Sequence, residues 1–208
     1  MTSKPVTFVS QALTLEGVLH EPAGGSSPAV AVCHPHPLYG GDMHSEVVVT
    51  ICERLAAGGI AALRFNFRGV GRSQGSFGGG EAEQEDVRGA ITYLRGLNST
   101  GSRSLGLAGY SFGAAVALGT ADPGLRALAA VSPPLPALDS VRLKPDIPLL
   151  LVAGDRDEIA GGPRLAEAAS ALGGRVRVII IPGADHFWWG HLDTLADTVA
   201  EFFMRELS

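Results

Sequence analysis

The sequence predicts an α/β protein: an eight-stranded, mostly parallel sheet with an N-terminal antiparallel hairpin, helices on both faces and no cap domain. Three observations predict it. Short, continuous apolar runs such as Ala29-Val30-Ala31-Val32-Cys33 recur along the chain, as strands buried on both faces require. Longer segments with helical apolar spacing alternate with them. The chain has 208 residues at 46% hydrophobic content, enough for one domain, 1–208, around a sizeable core.

The elements follow in order. Residues 6–10 and 13–20 read as the antiparallel pair. Gly24-Gly25-Ser26-Ser27-Pro28 is a loop. Strands are expected at 29–33, 60–67, 105–109, 128–131, 149–153 and 176–181, and helices at 43–57, 81–96, 112–121, 163–172 and 192–207. Ser76-Phe77-Gly78-Gly79-Gly80 is the loosest stretch and is expected to be a mobile loop. Between Val131 and Leu149 the chain is short and proline-rich, with no room for a helical lid.

Composition excludes several classes. The net charge of −5 and the absence of a basic stripe argue against nucleic acid. No apolar run reaches membrane-spanning length, and no apolar core follows the N-terminal Met1-Thr2-Ser3-Lys4-Pro5, so a cytoplasmic protein without a signal peptide is expected. Two cysteines, Cys33 and Cys52, make no disulfide framework and no zinc spacing. No cofactor or metal is expected, and oligomeric state is left open.

The chemistry centres on Gly109-Tyr110-Ser111-Phe112-Gly113, set between an apolar strand and an apolar helix start. A serine on so sharp a turn lifts its hydroxyl clear of the sheet, and the flanking glycines avoid collision with neighbouring backbone. A hydroxyl at neutral pH needs a base, and the base needs a carboxylate to fix its tautomer. Asp157 follows one strand end and His186 the next, giving Ser111, Asp157 and His186 in chain order. Asp155 is expected to bond the backbone of its own turn, Glu158 to be solvated, and Asp185 to stabilise its loop. A neutral imidazole is required, so activity should rise through the pH range where histidine ordinarily loses its proton, near about 6.5.

An oxyanion needs two backbone N–H donors. Phe112 follows the nucleophile. In His34-Pro35-His36-Pro37-Leu38 the prolines have no N–H, and His36, held between them, is the preferred second donor. Metal binding by His34, His36 and His44 lacks a completing ligand. Phosphate binding at Arg68-Gly69-Val70-Gly71-Arg72-Ser73 is weaker than a tight turn with an arginine paired to a carboxylate. Apolar candidates for contacting substrate are Leu38, Tyr39, Phe77, Phe187 and Trp188, with Trp189 beside them.

Cys33-His34-Pro35-His36-Pro37-Leu38-Tyr39-Gly40-Gly41, Asn66-Phe67-Arg68-Gly69-Val70-Gly71-Arg72-Ser73, the serine turn and Gly183-Ala184-Asp185-His186-Phe187 together resemble the α/β-hydrolase superfamily, over nearly the whole chain. Within it the chain is similar to a compact, lidless bacterial group of dienelactone-hydrolase-like and small carboxylesterase proteins. Serine at 111 departs from the cysteine of dienelactone hydrolases, and Pro35 departs from the His-Gly-Gly-Gly loop of lipases. The resemblance implies hydrolysis of small, short-chain carboxylic esters, with thioesterase, amidase or short-substrate peptidase activity, or a non-catalytic binding role, as alternatives.

Overall fold

The computed structural model describes residues 2–23, 28–97, 104–120, 122, 124–142, 144, 146–162 and 164–208. Most of the expected 24–28 loop lies outside them, as do Ala121 and Pro163, the expected end and start of two helices. The described strands are β1 (Thr2–Ser10), β2 (Leu13–Glu21), β3 (Ala29–Cys33), β4 (Ala61–Phe65), β5 (Leu105–Tyr110), β6 (Leu125–Val131), β7 (Leu149–Gly154) and β8 (Val176–Ile181). The helices are α1 (Glu46–Ala57), α2 (Glu83–Gly96), α3 (Phe112–Gly119), α4 (Arg164–Ala169) and α5 (Leu192–Glu206).

The strands form one sheet in the order β1-β2-β4-β3-β5-β6-β7-β8. β1 pairs with β2, and β2 with β4, antiparallel. Every later neighbour is parallel. The period-2 pleat divides the core into two layers. In β3, Ala29, Ala31 and Cys33 join the layer under α2, α3 and α4, and Val30 and Val32 join the layer under α1 and α5. Helix α1 buries Val47, Val48, Ile51, Cys52 and Leu55, a stripe of 3.6-residue period. Helix α5 does the same with Leu195, Ala196, Val199, Ala200 and Phe203. No cap covers the carboxyl edge of the sheet: between β6 and β7 the described residues form only a short 3₁₀ stretch, Leu135–Ser140. No described helix is long and apolar enough to cross a membrane.

Element ends differ from expectation for local reasons. Helix α1 begins at Glu46 rather than Met43 because side chains capture the preceding amides. Asn66 Oδ1 accepts from the Met43 amide and Asp42 Oδ1 from that of His44. Strand β4 ends at Phe65 because Phe67 leaves the ladder, donating its amide to His34 Nε2 at 3.1 Å. Helix α4 stops at Ala169, where three successive amides turn to i−3 carbonyls ahead of the left-handed Gly173 and Gly174. The 76–80 loop is not loose. Glu83 is buried and its two carboxylate oxygens accept from the Gly78 and Gly80 amides, each at 2.7 Å.

The arginine-rich turn after β4 is a turn held by carboxylates. Glu16 accepts from the Arg72 amide at 2.7 Å and from Arg72 Nε at 3.1 Å. Asp86, fully buried in the first turn of α2, accepts from Arg68 Nη2 at 2.8 Å, the Arg68 amide at 2.9 Å and Ser10 Oγ at 2.8 Å. The pair joins β1, the β4 loop and α2. Removing one partner of such a pair leaves a buried ion alone. Asp86→Ala is therefore expected to lower unfolding stability by about 3–5 kcal/mol, read as a fall in the urea midpoint, with Arg72→Ala, at an exposed pair, within about 1 kcal/mol of the parent.

Candidate active site

The carboxyl ends of β5, β7 and β8 bring three sequence-distant side chains together. Ser111 stands in the turn between β5 and α3 with φ 55° and ψ −115°. Glycine on either side makes that turn possible. A Cβ at Gly109 would lie 2.2 Å from the Gly113 carbonyl oxygen, and one at Gly113 would lie 2.5 Å from those of Cys33 and His34. The Ser111 amide donates to Val131 O at 2.9 Å, and its carbonyl accepts from Ala114 and Ala115, starting α3.

His186 follows β8 and Asp157 follows β7. His186 Nδ1 donates to the Asp157 oxygens at 2.9 and 3.1 Å. With its proton on Nδ1, the neutral ring accepts at Nε2, where Ser111 Oγ donates at 3.0 Å. The chain hydroxyl–imidazole–carboxylate is continuous, and Asp157 and His186 are both buried. Burial alone would push the Asp157 carboxyl up. Hydrogen bonds from His186, the Ala160 amide and Ser132 outweigh it and hold the group below the ordinary carboxylate range. The Ile159 and Ala160 amides donate to its Oδ1 at 3.1 and 2.8 Å. Tyr110 anchors the histidine loop from below, donating its hydroxyl to His186 O at 2.8 Å.

The other carboxylates are engaged elsewhere. Asp155 does not bond its own turn, as its position suggests. It reaches across to accept from the Gly183 amide at 2.7 Å, tying the β7 loop to the β8 loop. Asp185 accepts from the Phe187 and Trp189 amides and braces its own loop. Glu158 is exposed.

Ser111 and His186 open on a cavity of about 550 Å³ whose lining includes His36, Tyr39, Phe112, Pro134, Ile159 and Phe187. Of the residues expected to contact substrate, Tyr39 and Phe187 are there. Leu38 and Phe77 instead line a neighbouring depression between the β3 and β4 loops. Trp188 is fully buried in the core, with Nε1 donating to Ser132 Oγ at 3.1 Å, and does not line the cavity. Trp189 is exposed outside the cavity lining. Ile159 and Pro134 were missed. Ile159 carries a legible signal, standing two residues past Asp157 and donating its amide to it.

His36 and Phe112 both line the cavity, and among the described residues neither amide donates to a protein acceptor. The Leu38 amide is taken, donating to His36 Nδ1 at 3.2 Å. The His36 ring packs among Tyr39, Phe77 and Phe112, with centroids 4.8, 5.2 and 4.8 Å away. His34 is structural: Nδ1 donates to Pro35 O at 2.7 Å and Nε2 accepts from Phe67. No described group of three or more histidine, cysteine or acidic side chains is placed to hold a metal.

This is the architecture of a lidless α/β serine hydrolase, and comparison with known proteins agrees. An α/β serine hydrolase without a lid from Xanthomonas campestris superposes with a TM-score of 0.89 at 31% identity, over 100% of this chain and 96% of that one. An α/β serine hydrolase homologue from Coxiella burnetii gives 0.85 at 31% identity, over 97% and 98%. An uncharacterized Rickettsia prowazekii protein is 35% identical over 185 residues, 84% of this chain and 77% of that one. The X-Pro dipeptidyl-peptidase (S15) family profile matches residues 14–143. The chain belongs to that family.

Two buried histidines make the fold acid-sensitive. Burial pushes His34 down to about 4, and burial with the charge of Arg64 does the same to His20. Both are neutral in the fold and take up protons on unfolding, so their contribution is present above the ordinary histidine value. It is lost as pH falls from about 6.5 toward about 4. Stability is expected to drop by about 1–3 kcal/mol per histidine across that window. Urea titrations at pH 7, 5.5 and 4 check this, and His34→Gln should flatten the slope.

Proposed function

We propose that this chain hydrolyses carboxylic esters of small acids through an acyl-enzyme on Ser111. One observation carries the reading: a continuous Ser111–His186–Asp157 hydrogen-bond chain at the floor of an open cavity. Ser111 Oγ attacks the carbonyl carbon as its proton passes to His186 Nε2. The His36 and Phe112 amides receive the oxyanion. The tetrahedral intermediate collapses, the C–O bond breaks, and the departing alcohol takes the proton from His186. Water then attacks the acyl carbon, giving its proton to the same nitrogen. The acid leaves and Ser111 is restored. Asp157 holds the imidazole in the required tautomer and stabilises the imidazolium.

Family membership supports a second reading, a peptidase or amidase acting on short substrates. A dipeptide cut from an amino terminus carries a free ammonium, and among the described residues the cavity lining has no carboxylate to receive it. That favours neutral acyl esters over amino-terminal dipeptides. Tyr39, Phe187, Ile159 and Pro134 supply the apolar walls. With no cap above them, little surface covers a long acyl chain, so short chains should be preferred.

Hydrolysis of p-nitrophenyl acetate, butyrate and octanoate tests this. The parent should turn over, and Ser111→Ala should lose roughly 10³-fold or more. Equal activity in both would remove Ser111 as nucleophile, and a chain-length optimum at ten carbons or more would overturn the short-chain preference. Asp157→Asn keeps the shape and presents the wrong tautomer to His186. It should lower kcat by about 10³–10⁴ with a much smaller change in KM, measured on the best of the three esters.

A further inference from the structure

We propose that the alcohol half of the substrate is a sugar or sugar-like polyol, held in a second cavity that opens off the catalytic one across Phe112 and Ala115. The inference rests on the ester hydrolase reading above and names the class of alcohol that the ester carries.

The second cavity has a volume of about 560 Å³, ample for a monosaccharide. Phe112 and Ala115 belong to its lining and to that of the catalytic cavity, so the two meet at the start of α3, beside Ser111. Their walls differ in character. Tyr39, Pro134, Ile159 and Phe187 make the catalytic cavity largely apolar. Glu81, Gln84, Ser140 and Arg142 line the second. Among the described residues, the Glu81, Gln84 and Ser140 side chains make no hydrogen bond or ion pair, and Arg142 Nη1 reaches only Val141 O, at 3.4 Å. Four polar side chains therefore border one space with their hydrogen-bonding capacity open to a ligand.

The backbone around them is held in place. Glu83 fixes the loop before α2 through the Gly78 and Gly80 amides, each at 2.7 Å. The Arg142 amide donates to Leu118 O at 2.9 Å, tying the chain after Ser140 to the end of α3. Gln84 lies against the same end of that helix, since a Cβ at Gly119 would stand 2.8 Å from its Nε2. Three separate segments thus converge on α3 and present their polar side chains to one cavity.

Charge selects the ligand. One carboxylate and one guanidinium line the cavity. An anionic group pairing with Arg142 is opposed by Glu81, and an ammonium at Glu81 is opposed by Arg142. An uncharged group that both donates and accepts suits both. Hydroxyls do so: Glu81 accepts from them, Arg142 donates to them, and Gln84 and Ser140 do either. A simple alcohol has one oxygen and cannot use four such residues. A sugar carries several on a small frame, and Phe112 offers an apolar surface to its C–H groups. With the acyl group between Tyr39, Ile159 and Phe187, the ester carbon stands at Ser111 and the alcohol oxygen points across Phe112. The bond from the acyl carbon to that oxygen breaks, the oxygen takes the proton from His186 Nε2, and the acyl group stays on Ser111 Oγ.

Steady-state hydrolysis of 6-O-butyrylglucose, ethyl butyrate and p-nitrophenyl butyrate tests this in the parent, Gln84→Ala and Arg142→Ala. The parent should show a kcat/KM for butyrylglucose at least about 10-fold above that for ethyl butyrate, whose acyl group is the same. Each variant should raise KM for butyrylglucose by about 3- to 10-fold, with kcat and the rates on the other two esters within about twofold of the parent. A parent that cleaves ethyl butyrate as well as butyrylglucose overturns the proposal. So does a KM for butyrylglucose that neither variant changes. Cleavage of Ala-Pro-p-nitroanilide faster than any of the three esters, and lost in Glu81→Gln, also overturns it, because the cavity would then receive an ammonium. A parent inactive on all three esters removes the ester hydrolase reading and this inference with it. Activity on p-nitrophenyl and ethyl butyrate without a preference for the sugar ester removes this inference alone.

Discussion

The site depends on one close approach of backbone to backbone. The turn after β5 brings the α3 start against the end of β3, so near that a Cβ at Gly113 would meet the Cys33 and His34 carbonyl oxygens at 2.5 Å. That contact sets how far Ser111 rises above the sheet. It also sets the distance between the Phe112 amide and the His36 loop, because both hang on the same two strand ends. His34 carries the constraint outward, bonding Pro35 on its own loop and Phe67 beyond β4. Displacing Gly113 would move Ser111 and the Phe112 and His36 amides together.

The parallel sheet explains why residues 29 and 75 positions apart can touch. Each crossover returns the chain to the same edge, so β5, β6, β7 and β8 deliver their carboxyl ends side by side at about 4.8 Å spacing. Ser111, Ser132, Asp157 and His186 follow those four ends in spatial order. These four side chains form a row along one edge, and hydrogen bonds between the loops stop the row from sliding. Asp155 to Gly183 and Tyr110 to His186 O are two of them.

Much of this was legible in the sequence, for a physical reason. Strands buried on both faces must be apolar throughout, and β3, β5 and β7 are. A serine turn between strand and helix needs glycine where backbones meet, so Gly109 and Gly113 marked the turn without any structure. What could not be read was which way a side chain points after a strand ends. Trp188 lies two residues past His186, beside Phe187 at the cavity mouth, yet it turns inward. A backbone at φ 64° reverses its direction, and nothing in Trp188-Trp189-Gly190 announces a tryptophan in that region. Leu38 and Phe77 fail similarly, since they border the next depression round the loop. The 76–80 stretch reads as loose by composition, and only the fold brings Glu83 back to its amides.

Strain is not spread evenly over this molecule. Among the described non-glycine residues with positive φ are Gln11, Ser111, Ser132 and Trp188, and the last three border the same buried network. Each costs about 1–3 kcal/mol, which matters against a net stability of roughly 5–15 kcal/mol for a folded domain. The cost is offset locally: Ser111 by its bonds to Val131 and the first turn of α3, Ser132 by its 2.7 Å amide bond to Val152 O, Trp188 by complete burial of its ring. Relaxing any of these positions would remove strain and free a polar group in the core. Backbone tension and hydrogen bonding therefore oppose each other at one place, and the geometry of Ser111, His186 and Asp157 is the arrangement in which they balance.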